Sequence, residues 1–354
     1  MDETAEMIRN RMRENTCADR AKSREEKYIE KRDIIRNKKT DLRDENNVIA
    51  AALAITNNTS NKMEALKILK DCFIENVANI VTFMKVEGAS HALIKHLMSN
   101  NSMEQLLALE CCCNLSLGDA KTCFKLAKGA TPYLINTLQG LNYNLMNVAI
   151  ITLGNMSGSG KKTCQLLHAQ GLIRSLEHTI GIPELREATA KALVLFTKNY
   201  LNDLSEEESL SIVQNCLPFY ESSTNIQWLI YHFSSLNSIK TLLITDRLPQ
   251  RIITYLSSLE SVRPDNLISV TAQIRTLGSL STDPDGVTVN ILLDDWNTTM
   301  YIIKFLMRSN YKHLCKELFW SLANIIRSNS PEVKNKLATK ADDLHLVINY
   351  IPAM

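Results

Sequence analysis

The sequence predicts an all-α fold: a right-handed superhelical solenoid of about six to seven stacked helical repeats, with a charged helical arm in front of it. Three observations predict it. Apolar residues recur at the i, i+4, i+7 spacing that puts one buried stripe on a helix, as in Leu318, Leu322 and Ile325. Helix breakers are scarce, with 11 glycines and 8 prolines in 354 residues, and a 6% aromatic content argues against a sheet-rich fold. Finally, whole segments of the pattern return after 41 or 42 residues. A chain this long exceeds the usual single core, so an elongated array or several domains is required.

Residues 1–45 are the arm. They contain no glycine or proline and too few apolar residues for a core. Arg24, Lys27, Lys31, Arg32, Arg36, Lys38 and Lys39 alternate with Glu25, Glu26, Glu30 and Asp33 in a helix-compatible stretch. Such a segment has helical tendency but gains order only against a partner. Residues 46–62, rich in Asn, Ala and Thr, read as a junction.

Residues 63–354 are the repeat domain. VEGASHALIKHL, AKGATPYLINTL and AQGLIRSLEHTI superimpose, with Gly88, Gly129 and Gly171 in one column. Leu93, Leu134 and Leu176 follow five positions on, and Leu97, Leu138 and Ile180 nine positions on. The i, i+4 step places each pair on one helix face, and the glycine suits a chain reversal. A second column carries Asn114, Asn155 and Asn324, with weaker copies at Leu195, His232 and Ser279. Trp320 and Asn324 fall off the apolar stripe of their helix and face elsewhere. Stacked repeats align such faces into a groove suited to extended peptides.

These residues point to a family. The stretch from Met63 to Gly160, with TLGNMSGSG, and the later FWSLANIIRSN resemble the armadillo repeats of importin-α, the nuclear-import adaptor. SREEKYIEKRDIIRNKKTDLRDENN resembles that family's importin-β-binding arm. The likeness covers nearly the whole chain and loosens after about residue 180, and the chain has room for fewer repeats than the family's usual number. It implies importin-β as partner of the seven basic arm residues, a cargo protein in the groove, and a place in both cytoplasm and nucleus. It also implies a ladder of WxxxN pairs, whose rings face the cations of a basic peptide while the amides hold its main chain.

The ladder is broken early and kept late. Glu110 and Ile151 stand in the Trp positions before Asn114 and Asn155, and Lys191 with Leu195 lacks both members. Trp228 with His232 is a variant pair, Arg275 with Ser279 replaces the next, and Trp320 with Asn324 is complete. The candidate groove residues are therefore Asn114, Ile151, Asn155, Trp228, His232, Trp320 and Asn324. The plainer alternative is that the asparagines cap or bridge neighbouring helices. The arm too has one, a solvated charged helix held by its own ion pairs. Its second cluster, Arg43-Asp44-Glu45-Asn46-Asn47, lacks the basic content with which such an arm could occupy the groove.

Other classes of function find little support. A net charge of +2 does not favour a polyanion binder, and the arm holds a single aromatic residue, Tyr28, and no series of rings for base stacking, so no direct nucleic-acid partner is expected. No signal-type segment or run of about 18 apolar residues is present, so neither secretion nor a membrane span is expected, and the 9 cysteines are expected as reduced thiols. Gly158–Thr163 misses the phosphate-loop spacing, Cys111–Cys113 lack spaced zinc partners, there is no HExxH, and Asp294-Asp295 has no matching acid–base partner. The expectation is a protein-binding adaptor without enzyme activity, cofactor, metal or small-molecule substrate. A non-transport armadillo scaffold for a dedicated cytoplasmic partner is the alternative.

Overall fold

The computed structural model describes residues 45–328 and 330–349, and all regular structure among them is helical. The chain divides after Tyr200 into two compact units.

Unit 1 begins with α1 (Glu45–Thr56) and α2 (Lys62–Glu75). Two short helices, α3 (Val77–Lys85) and α4 (Ala89–His96), then lead to the longer α5 (Ser102–Leu115). Next come α6 (Ala120–Thr137) and α7 (Tyr143–Ser157), then α8 (Lys161–Ala169), α9 (Leu172–Ile180) and the long α10 (Pro183–Tyr200). The long helices stack in succession, α2 on α5, α5 on α7 and α7 on α10. An asparagine side chain caps two of them. Asn101 accepts from the N–H groups of Met103 and Glu104 at 3.0 and 3.2 Å. Asn142 caps α7 in the same way at 3.1 and 3.3 Å. Each satisfies helix-end donors that have no partner within the helix.

Unit 2 repeats the plan. It holds α11 (Glu206–Cys216), α12 (Thr224–Phe233), α13 (Asn237–Thr245), α14 (Leu248–Ser258) and α15 (Leu267–Leu280). They are followed by α16 (Val287–Asp294), α17 (Trp296–Met307), α18 (Lys312–Ile326), α19 (Pro331–Ala338) and α20 (Ala341–Asn349). Here α12 packs on α15 and α15 on α18. Apart from α6, which runs as one helix, and α12, which is no longer than α11, shorter helices lead to a longer closing one. These closing helices of the repeats stack on one another, the armadillo-type arrangement predicted from the period.

The two apolar columns are buried throughout: Leu93, Leu134 and Leu176, and Leu97, Leu138 and Ile180. So are Leu318, Leu322 and Ile325, and each such side chain contributes about 1.5–3 kcal/mol by leaving water.

Two expectations need correction. Residues 46–62 are mostly not a loose junction, because α1 buries Val48, Ala51, Ala52 and Ile55 against α2, α3 and α4. Its Asn and Thr residues sit at the two ends of the helix and in the turn after it, away from the buried Val48, Ala51, Ala52 and Ile55. The glycine column also has two physical causes. Gly88 and Gly171 have φ of +76° and +89° and open α4 and α9 as reversals. Gly129 lies inside α6, where the helix runs on through Pro132. A β-carbon at Gly129 would come within 2.6 Å of the Ile94 side chain, so its smallness serves the approach of α4. At the corresponding reversal before α14 the chain uses Arg247, at φ +58°.

Candidate functional site

The long helices carry every candidate groove residue. In unit 1, Asn114 is fully buried, and its side-chain N–H donates to the main-chain carbonyl of Lys70 on α2 at 3.1 Å. Asn155 is likewise buried and donates to the Cys113 sulfur at 3.8 Å. Asn199, outside the predicted column, donates to the Ser157 carbonyl at 3.0 Å. Each amide joins its helix to the preceding long helix. Ile151 on α7 is half-buried between Val148 and Asn155.

Glu110, standing where a ring was sought, forms an ion pair with Lys70 at 3.1 Å, the two side chains 13% and 3% exposed. Close by, Glu104 receives both Lys62 at 3.1 Å and the His96 ring at 2.7 Å. Burial pushes the Glu104 carboxyl up, but its bonds to His96 and Lys62 outweigh that and hold it below the usual carboxylate range. Unit 1 thus spends its polar long-helix side chains largely on joining one helix to the next.

Unit 2 differs. Trp320 on α18 remains 40% exposed, with Asn324 one turn further along the same face. The Asn324 N–H donates to the Gly278 carbonyl on α15 at 2.9 Å, a bond that orients the amide and leaves its oxygen as an acceptor. Gly278 is required here, since a β-carbon would lie 2.7 Å from the Trp320 ring and clash with the Ser321 hydroxyl. Trp228 and His232, on α12, are half-buried. The Trp228 ring meets Tyr231 edge-on at 5.7 Å, and Tyr231 lies 5.9 Å from His232.

Arg275 fills the aromatic face. Its guanidinium lies 5.2 Å from the centre of the Trp228 ring and 5.7 Å from that of Tyr231, and it is ion-paired with Glu317 on α18. A residue read as a lost ring therefore supplies the cation that a ring would otherwise receive from a ligand. Sequence reasoning identified the substitution but missed its partners, Tyr231 and Glu317, because they stand outside the four-residue pair pattern. The arm residues Arg24, Lys27, Lys31, Arg32, Arg36, Lys38 and Lys39 lie outside the described residues.

Among the described residues no group of three or more His, Cys, Asp and Glu side chains could hold a metal, and no helix is long and apolar enough to cross a membrane. The Cys111–Cys113 run is buried in α5. Burial pushes the Cys111 and Cys112 thiols well up, and that of Cys164 to about 12, so none of the three is a ready thiolate at neutral pH.

No protein-family model matches the chain. Importin subunit alpha-9 of Arabidopsis thaliana is 27% identical over 256 residues, 67% of this chain and 48% of that protein, so the chain spans about half the length of this curated relative. Among solved structures, an engineered protein of the Northeast Structural Genomics Consortium superimposes with a TM-score of 0.67 at 16% identity, covering 80% of this chain and 69% of the other. A designed armadillo repeat protein gives a TM-score of 0.47 at 12% identity, covering 78% of this chain and 99% of the other. By fold the chain is an armadillo-type helical-repeat protein, and in sequence it is similar to an importin-α subunit.

Proposed function

We propose that this protein is a peptide-binding adaptor of importin-α type, active between cytoplasm and nucleus. In this reading residues 24–39 bind importin-β, and the long-helix face of the repeats carries a cargo peptide. The observation that carries it is the Trp320–Asn324 pair, an exposed ring with an oriented amide one turn on, set on armadillo repeats. The basic arm ahead of those repeats supports the importin-β half, since a segment that orders on an acidic partner gains specificity from that ordering. Within the importin-α-like group, we infer a resemblance to a short divergent relative, transmembrane and coiled-coil domain-containing protein 6.

A pulldown with importin-β tests the arm. Wild type should be retained, while Lys38→Ala with Lys39→Ala, or deletion of residues 1–44, should lose retention. Equal retention of all three sinks the assignment.

A second reading is a non-transport scaffold for a dedicated cytoplasmic partner. It is favoured by Glu110 and Arg275, which place engaged charges where the import ladder needs rings. A labelled basic import-signal peptide separates the two. Saturable binding weakened by Asn324→Ala supports transport, and no binding even at low salt supports the scaffold.

A further inference from the structure

The long helices of unit 2 are almost without carboxylates. Glu317 is the single one in α12, α15 and α18, and Arg275 already neutralises it. The same helices carry Arg275, Lys312 and Lys316, with Arg327 at the end of α18. Lys316, Trp320 and Asn324 follow one another at four-residue steps, and Arg327 lies seven beyond Trp320, so all four share one face. Lys316 and Arg327 are exposed on it, one on either side of the Trp320 ring along the helix. This is the reverse of what a basic peptide requires. Its cations would meet Lys316 and Arg327, and the Trp228 ring is already covered by Arg275. Like charges brought together on binding discriminate strongly against a partner.

We propose that the α12–α15–α18 face of unit 2 binds an extended, Asp/Glu-rich peptide segment of a partner protein. Lys316 and Arg327 oppose its carboxylates, the Trp320 ring takes an apolar side chain between them, and the Asn324 oxygen accepts a main-chain N–H. Charge complementarity selects this occupant. The single ring and the oriented amide suit a polypeptide backbone better than a run of stacked bases, which needs several rings in series. The inference rests on the reading of the long-helix face as a peptide-binding surface, and it names the chemistry of that peptide.

The test is a fluorescence-anisotropy titration of the full chain with labelled decapeptides of three kinds: Glu-rich with interspersed Leu, Lys-rich with interspersed Leu, and uncharged. A single-stranded oligonucleotide of equal charge forms a fourth arm. The Glu-rich peptide should bind saturably and weaken by about 30-fold in Lys316→Glu/Arg327→Glu, both exposed positions that the fold tolerates. It should weaken by about tenfold in Trp320→Ala. The charge-matched control Lys67→Glu/Lys121→Glu, on exposed residues of unit 1, should leave its affinity within about twofold. Equal loss in control and test variants overturns the proposal, because attraction is then unlocalised. Tighter oligonucleotide binding with the same sensitivity to Lys316 and Arg327 also overturns it and assigns the face to nucleic acid. Lys-rich peptide binding that is lost in Trp320→Ala overturns it while leaving the peptide-binding reading intact. Absence of binding by all three peptides overturns both.

Discussion

In unit 1 the polar groups of the long helices bridge to neighbouring helices. Lys70 meets Glu110, Asn114 reaches the Lys70 carbonyl, and Lys62, Glu104 and His96 form a connected cluster. Unit 2 also bridges its long helices, through Asn324 to the Gly278 carbonyl, Ser279 to the Ser234 carbonyl and Arg275 to Glu317, and it stacks the Arg275 guanidinium on Trp228 and Tyr231. It keeps Trp320 exposed beside Lys316, Asn324 and Arg327. One repeat plan therefore serves cohesion in both units and adds display in the second. The same helix position holds a buried structural charge in one and a solvent-facing ring in the other.

Substitutions should break this contrast in a graded way. The largest effect is expected for Lys70→Met, which strands Glu110 in a site only 13% exposed. Loss of one partner of a buried pair costs about 3 kcal/mol, read as lower protection of α2 and α5 amides in hydrogen exchange. The half-exposed Arg275→Met should cost only about 1 kcal/mol in unit 2, because water screens that pair. If both substitutions cost the same, the difference in burial between the two bridges carries no energetic weight.

Gly278→Ala should come next. Its β-carbon displaces Ser321 and the Trp320 ring, costing about 2 kcal/mol and shifting the tryptophan emission. Asparagines give a smaller and more telling pair. Asn114→Ala removes a fully buried donor and should cost about 1–2 kcal/mol in thermal unfolding. Asn324→Ala, at a half-buried site, should cost less than about 1 kcal/mol while reducing peptide binding.

The smallest effect concerns pH, and its sign differs between the units. Glu104 has a folded pKa below its unfolded value, so its contribution is complete above the ordinary carboxylate range and is lost as pH falls through the folded value. Asp283, between α15 and α16, is the opposite case. Burial raises its carboxyl, partly offset by N–H bonds from Val287 and Thr288, so protonation favours the folded form and the penalty of its charge eases as pH falls. Glu104→Gln should flatten the acid loss in unit 1 amide protection, and Asp283→Asn should flatten the acid gain in unit 2.

Much of the fold was legible because burial leaves a periodic trace. Leu93, Leu134 and Leu176 recur on schedule since each fills the same place in its repeat. The glycine column was legible as a column but not as a mechanism, because Gly88 needs a positive φ and Gly129 needs room beside Ile94. Arg247 left no trace at all, since nothing in its chemistry announces a left-handed backbone. At the candidate site, Trp320 and Asn324 could be placed off the apolar stripe from spacing alone, and they lie there. The engagement of Asn114 with Lys70 could not be read so, because a bond between residues 44 apart depends on how two helices stack. The charge contrast between the units was present in the sequence throughout. It became visible once the long helices were delimited and the lone carboxylate, Glu317, was found paired.

The amide bridges of unit 1 also have a mechanical meaning. Each ties two turns of chain that are neighbours in the stack but about one period apart along the backbone. A pulling force applied to the ends of that unit would load these bonds one after another. Rupture should thus release the chain in steps of one repeat, about 140 Å of contour length each at full extension. A force–extension trace would then show an evenly spaced sawtooth, with the repeat period written as a distance.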